Sequence, residues 1–167
     1  MNRVGILGKL VLSNSERMNR RGLFLGRRST KVHVVLYRWS KGRIGGRVPG
    51  WPAARILLLD HIGARSAIRR ISPVIFHQDG GLLAVVASKA GQPANPAWFY
   101  NLRANPETTV QIGAEVRVVR ARVAGEPERE CLWPRFVEAF PAFEFYQRNA
   151  GHRRIPIVIL DATSPSR

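Results

Sequence analysis

Pro73-Val74-Ile75-Phe76-His77-Gln78-Asp79-Gly80-Gly81-Leu82-Leu83-Ala84-Val85-Val86-Ala87-Ser88 is two apolar runs joined by a polar turn. The Asp79-Gly80 pair supplies the positive-φ geometry that a tight hairpin loop requires, so residues 73–77 and 82–88 are expected to be neighbouring antiparallel strands. The same texture continues outward in both directions. Residues 55–61 read as the preceding strand. Beyond the hairpin come a short helix over 96–104, a strand over 108–112, a turn at Gly113-Ala114 and a strand over 115–123. In that last strand the alternation slips at Val118-Val119, as a bulge would produce. Residues 126–149 are the longest helical stretch, which Pro134 and Pro141 are each expected to interrupt and restart. Residues 155–160 form the closing strand. Six strands with two or three helices, in an order too irregular for βαβ units, imply an α+β fold built on an antiparallel barrel with helices packed against it.

With 167 residues, 45% of them hydrophobic, the chain can bury one core and is too short for two ordinary domains. Residues 1–50 read as a basic helical arm and linker, and residues 51–167 as the barrel domain. Val4, Leu7, Leu10 and Val11 fall at helical spacing and precede a basic stretch over 17–28. A second helical pattern, Val32, Val35, Leu36 and Trp39, runs into a glycine-rich loop over 41–47, after which Pro49, Gly50 and Pro52 predict a linker. No apolar run reaches the eighteen or so residues that cross a bilayer. Residues 4–12 are broken by Lys9 and lack a small-x-small cleavage site before Glu16, so a cytoplasmic protein is expected. The single cysteine, Cys131, reads as a packed thiol on a helix.

The formal net charge is +16, and residues 1–50 carry 12 of the 27 basic side chains but only one of the 11 acidic ones. Such a field attracts nucleic acid, anionic lipid or a phosphorylated cofactor without choosing among them. Nucleic acid is not expected as a partner, because residues 17–28 interleave only Phe24 among the cations. An amphipathic cationic helix suits an anionic membrane surface better, which predicts peripheral association at the inner face of the membrane.

Metal and hydrolytic chemistry find no support. His33, His61, His77 and His152 lie far apart, no cysteine cluster could complete a zinc site, and no Gly-x-Ser-x-Gly elbow occurs. No metal is assigned, and an enzyme on this chain would need a cofactor to supply the chemistry. Two segments look suited to an anionic ligand. Gly63-Ala64-Arg65-Ser66-Ala67-Ile68-Arg69-Arg70 sets small residues and a hydroxyl beside three guanidiniums, a combination that fits phosphate or carboxylate and equally fits a solvated turn. Ala87-Ser88-Lys89-Ala90-Gly91 ends a strand in a small polar loop.

The most specific segment is Gly91-Gln92-Pro93-Ala94-Asn95-Pro96-Ala97-Trp98-Phe99-Tyr100-Asn101-Leu102-Arg103-Ala104-Asn105-Pro106. With Ser88-Lys89 before it and Val110-Gln111-Ile112-Gly113 after it, this run resembles the deazaflavin (F420)-dependent nitroreductase family. The resemblance extends from about Lys31 to Leu160. It includes Leu36-Tyr37-Arg38, the loop 42–47, Leu132-Trp133-Pro134, Phe140-Pro141, Tyr146-Gln147 and Ile155-Pro156-Ile157-Val158.

The resemblance implies a split β-barrel like that of FMN-binding oxidases, coenzyme F420 as cofactor, and hydride transfer from its reduced form to an apolar, electron-poor acceptor such as a quinone, enone or nitroaromatic. Carried over by position, Ala64, Arg65, Ser66 and Arg70 would meet the phosphate and acidic tail, with Ile71, Ser72 and Pro73 continuing along the cofactor. Val86, Ala87, Ser88 and Lys89 would lie near the ring, and Ala97, Trp98 and Asn101 would complete its pocket. Phe140, Phe143 and Tyr146 match substrate-facing positions, with Tyr146 as proton donor. A core-facing aromatic stripe is the alternative for these three, a core aromatic for Trp98 and a cap for Asn101. Ala64 stands where the family has a cation and Ala67 where it has glycine, which puts tail affinity and any positive-φ geometry at 67 in question. The rival readings are an FMN-binding barrel, a deazaflavin carrier, or a basic membrane- or nucleic-acid-binding protein. Barrels of this kind often pair, which implies a homodimer.

Overall fold

The apolar runs pair into one antiparallel sheet that closes on itself. In a computed structural model, which describes residues 27–163, the order is α1 (Arg27–Trp39), β1 (Arg47–Val48), β2 (Trp51–Ile62), β3 (Arg69–Asp79), β4 (Leu82–Val86), α2 (Ala97–Ala104), β5 (Glu107–Ile112), β6 (Glu115–Val123), α3 (Glu126–Ala139), α4 (Ala142–Asn149) and β7 (Ile157–Ala162). Neighbours run β1-β2-β3-β4-β7-β6-β5, and β5 returns to β2, with Leu58 opposite Gln111 and Leu59 opposite Val110. Six strands therefore form a closed barrel, which leaves them no open edge. The expected hairpin is β3–β4, with Asp79 opposite Leu82 across the two glycines and Gly80 at φ +55°.

Alternation divides each strand between two cores. Leu57 and Leu59 of β2, Leu83 and Val85 of β4, and Val158 and Leu160 of β7 point into the barrel, which Trp98, Phe99 and Leu102 of α2 plug. Ala84, Val86, Ile157 and Ile159 face outward under α3 and α4, against Leu132, Phe136, Phe140, Phe143 and Tyr146. Both faces of β4 and β7 are thus buried, which is why they read as unbroken apolar runs. Burying each such Leu, Ile or Val contributes on the order of 1.5–3 kcal/mol.

The arm pattern over residues 4–11 and most of the basic stretch lie outside the described residues. Several local expectations are corrected. Pro49-Gly50 is not a linker but the turn of a β1–β2 hairpin, and β2 begins at Trp51. The bulge predicted at Val118-Val119 is absent: β6 keeps one register against both β5 and β7, and the irregularity sits between Arg47 and Val48 instead. Alternation seemed to slip because Val116 and Val118 face solvent, at 62% and 58% exposure. Pro134 does not restart a helix. It sits inside α3 with Glu130 and Pro134 both exposed, so water can satisfy the carbonyl that loses its partner. Pro141, by contrast, does stand at the start of α4. Cys131 is exposed rather than packed, because α3 buries Leu132 and Phe136 and turns its neighbour outward.

α1 also buries a different face from the one its apolar pattern suggests. Val32, Val35, Leu36 and Trp39 are exposed, whereas Val34 and Tyr37 pack against Leu58 and Ile71. The reason is polar. Tyr37 Oη donates to the Ile56 carbonyl at 3.0 Å and accepts the Gly113 N–H at 2.9 Å, so one buried hydroxyl ties the helix to β2 and to the β5–β6 turn.

Candidate functional site

Two hollows flank the middle of β3. One is an apolar cavity of about 620 Å³ whose walls include Pro73, Val86, Ser88, Lys89, Trp98, Phe140, Phe143 and Tyr146. Eight residues singled out in the sequence therefore meet in one place, carried there by β3, β4, the turn after β4, α2, the end of α3 and α4. The other hollow, about 1000 Å³, lies between α1 and the start of β3, where Arg70, Ile71 and Ser72 form one wall and Lys31, Val34 and Arg38 the other. Pro73 follows Ser72 directly, so a single strand passes from the basic hollow to the apolar cavity.

The loop between β2 and β3 is folded around Arg70. Its Nη1 donates to Ser66 Oγ at 3.0 Å and to the Ile68 carbonyl at 3.1 Å. A Cβ at Gly63 would lie 2.3 Å from that Nη1 and 2.4 Å from Ser66 Oγ, so a side chain there would push both groups aside. Ala67 adopts φ +51°, which answers the question raised by the missing glycine: the left-handed conformation is kept at the cost of Cβ crowding. Arg65 is exposed on this loop. Beside it, Arg69 pairs with Asp60, which is only 8% exposed.

Asn101 and Ala87 are placed differently from a cavity lining. Asn101 is buried, and its amide is engaged at both ends: Oδ1 accepts the Ala64 N–H at 3.0 Å, and Nδ2 lies 2.8 Å from His61 Nδ1. Because the backbone N–H can only donate, the oxygen must face Ala64, the NH₂ must face His61, and Nδ1 must be bare. The ring proton then sits on Nε2, 2.9 Å from Ser72 Oγ, which leaves the Ser72 hydroxyl as a donor. Burial pushes the His61 pKa down to about 4, with Asp60 opposing that shift and Arg70 reinforcing it. His61 is neutral at pH 7, as the network requires. Ala87 is fully buried in the barrel core and Ala97 is exposed at the first turn of α2; neither lines the cavity.

The aromatic wall belongs to the core and to the cavity at once. Phe140, Phe143 and Tyr146 make edge-to-face contacts with centroids 5.4–6.3 Å apart, and Trp51 adds a further edge on Phe140 at 5.9 Å. Tyr146 is 4% exposed. Three contributors to the region carry no role in the sequence reading. His33 lines the cavity with its Nε2 2.9 Å from the Gly45 carbonyl. His61 sets the amide network, and Arg153 binds the turn after β4. His33 and Gly45 fall within the matched region, but nothing in their spacing indicates that they touch.

The residues fit a flat, acidic-tailed cofactor: apolar strand and aromatic walls accept a planar ring, and the adjoining hollow carries cations on both sides. Comparison with known proteins points the same way. An F420H(2)-dependent quinone reductase of Mycobacterium tuberculosis is 35% identical over 134 residues, spanning 78% of this chain and 87% of its own. The fold resembles that of an F420-H2 dependent reductase (FDR-A), with TM-score 0.59, 38% identity, and coverage of 64% of this chain and 93% of that one. It also resembles a structure described as a domain-swapped dimer, with TM-score 0.62, 32% identity, and coverage of 80% and 96%. Residues 29–162, from α1 to the last strand of the barrel, match the F420H(2)-dependent quinone reductase family, and the chain belongs to that family of oxidoreductases.

Proposed function

We propose that this chain reduces a quinone-like acceptor, with enones and nitroaromatics as further acceptors of the same class, using reduced F420 held along β3. The observation that carries the reading is the meeting of Pro73, Val86, Ser88, Lys89, Trp98, Phe140, Phe143 and Tyr146 around one 620 Å³ cavity beside the basic hollow of Arg70. When bound, the coenzyme supplies the hydride. Ala64, Arg65, Ser66 and Arg70 form the loop that holds its phosphate and acidic tail, and Ile71, Ser72 and Pro73 run along it. Val86, Ser88 and Lys89 shape the ring site with Ala87 behind them in the barrel core, and Trp98 and Asn101 support it from α2, which starts at Ala97. Phe140 and Phe143 exclude water and stack the acceptor. Tyr146 donates the proton to the acceptor oxygen, so that hydride and proton together convert a quinone to a quinol.

Fluorescence titration with F420 and, separately, with FMN tests the cofactor: binding of F420 at micromolar dose with none of FMN supports the reading, and the reverse rejects it. Tyr146→Phe is expected to lose turnover and keep cofactor binding. Unchanged turnover would remove the proton-donor role.

A second observation bears on location. α1 exposes Val32, Val35, Leu36 and Trp39 beside Lys31 and Arg38, continuing the basic arm of residues 1–26. We infer peripheral association with the anionic inner face of the membrane through this surface, and a homodimer as the working unit. No helix among the described residues is long and apolar enough to cross a membrane. Co-sedimentation with anionic vesicles that is unchanged by removing residues 1–30 would reject the role of the arm, and sedimentation as a monomer would reject the dimer.

A further inference from the structure

The turn that closes the cavity behind Ser88 is strained, and one side chain from a distant loop holds it. Lys89, Ala90 and Gly91 are consecutive left-handed residues, with φ +47°, +53° and +75°. Two of them carry a Cβ, for which this region is costly. Within the turn the Gly91 N–H donates to the Ser88 carbonyl (3.0 Å) and the Gln92 N–H to the Lys89 carbonyl (3.1 Å). Relaxation is blocked on one side, since a Cβ at Gly91 would stand 2.6 Å from the Tyr146 carbonyl oxygen and 2.9 Å from its Cα, so turn and α4 are in intimate contact.

Arg153 adds a restraint from outside the turn. Its Nη2 donates to the Ser88 carbonyl at 2.8 Å and to the Gln92 carbonyl at 2.7 Å. Nη1 donates to the Ala87 carbonyl at 3.1 Å and to Asn95 Oδ1 at 2.7 Å, and Nε donates to Gln92 at 3.1 Å. The guanidinium thus bridges the residues before the turn and those after it, and every one of these bonds ends on a neutral oxygen. Gln147 of α4 braces the clamp by donating to the Arg153 carbonyl at 2.9 Å.

We propose that Arg153 is a positioning residue for the cofactor site: its fork of hydrogen bonds holds the left-handed turn Lys89–Gly91, and through that turn the cavity wall at Ser88 and Lys89 and its seat against Tyr146. The inference rests on the F420 reading for its functional consequence and on the turn alone for its structural one. A lysine at 153 keeps the charge but offers a compact ammonium with three donors in place of the planar fork.

The test compares Arg153→Lys with the double variant Arg153→Lys/Ala90→Gly, because glycine removes the conformational cost that Arg153 is proposed to offset. Arg153→Lys is expected to weaken F420 binding by roughly tenfold, the scale of lost charge-assisted hydrogen bonds, and the added glycine is expected to restore most of it. A generic loss of folding would not be relieved by Ala90→Gly. Hydrogen exchange supplies a readout that needs no cofactor: in Arg153→Lys the Gly91 and Gln92 amides should exchange faster while the Val85 amide of β4 stays protected. Wild-type affinity in Arg153→Lys, no recovery in the double variant, or unchanged exchange at Gly91 and Gln92 would each overturn the proposal. Failure of the wild-type chain to bind F420 would instead overturn the cofactor reading, and the exchange result would still decide the turn.

Discussion

The aromatic wall of the cavity and the polar loop region beside it are held by opposite means. The helical side, α3 and α4, is aromatic packing, with Phe136, Phe143 and Tyr146 stacked edge to face over Ala84, Val86 and Ile157. The side formed by the end of β2, the loop over 63–68 and the start of β3 contains few large apolar contacts and is a chain of directional hydrogen bonds through Ala64, Asn101, His61 and Ser72. Packing responds to volume, and hydrogen-bond networks respond to protonation and to donor direction. The two sides should therefore fail under different perturbations.

Removing volume tests the helical side and should give the largest effect. Phe136 is fully buried, and Phe136→Ala is expected to cost about 3–5 kcal/mol in denaturant unfolding. A cost below about 1 kcal/mol would mean that this wall is not close-packed. Changing pH tests the polar side. His61 is held near pKa 4 when folded and returns to the ordinary value of 6.5 when unfolded, so between those values the unfolded chain binds more protons. Stability should then rise as pH increases from about 4 to 6.5 and level off above, with His61 contributing up to about 3 kcal/mol of that rise. In His61→Gln, whose amide offers an acceptor to Asn101 and a donor to Ser72, the rise should be smaller. An identical pH profile for the two proteins would refute the neutral-histidine network.

Smaller changes sharpen the contrast. Tyr37→Phe removes a hydroxyl that ties α1 to the barrel without altering packing, and a loss of about 1–2 kcal/mol is expected, with faster hydrogen exchange in α1 than in β4. No change would mean that α1 is held by apolar contact alone. Ala67→Gly relieves the left-handed conformation and should stabilise by a net few tenths to about 1 kcal/mol, because the relief exceeds the added backbone entropy of the unfolded chain. A loss in thermal unfolding would show that Ala67 does not occupy that conformation.

Much of the fold was legible because strand alternation and turn chemistry are local. The Asp79-Gly80 hairpin, the strand 115–123 and the helix beginning after Pro96 all follow from residues within one element. Where the reading failed, a distant partner or contact with solvent decided the outcome. The apolar residues of α1 pointed to one buried face, but the Tyr37 hydroxyl found its partners on Ile56 and Gly113, and the helix turned accordingly. Val118-Val119 suggested a bulge only because solvent-facing valines are indistinguishable in sequence from core ones. Pro134 was tolerated because the carbonyl it orphans lies on the wet side of α3.

The site divides in the same way. The run from Gly91 to Pro106 carries residue types and spacings specific enough to mark a family, and these belong to the chain itself. That Asn101 serves Ala64 and His61, that His61 must be neutral, and that Arg153 grips a turn sixty residues earlier are consequences of barrel closure. Hydrogen bonds are short-ranged and directional, so only folding can bring such partners within about 3 Å and select which atoms donate.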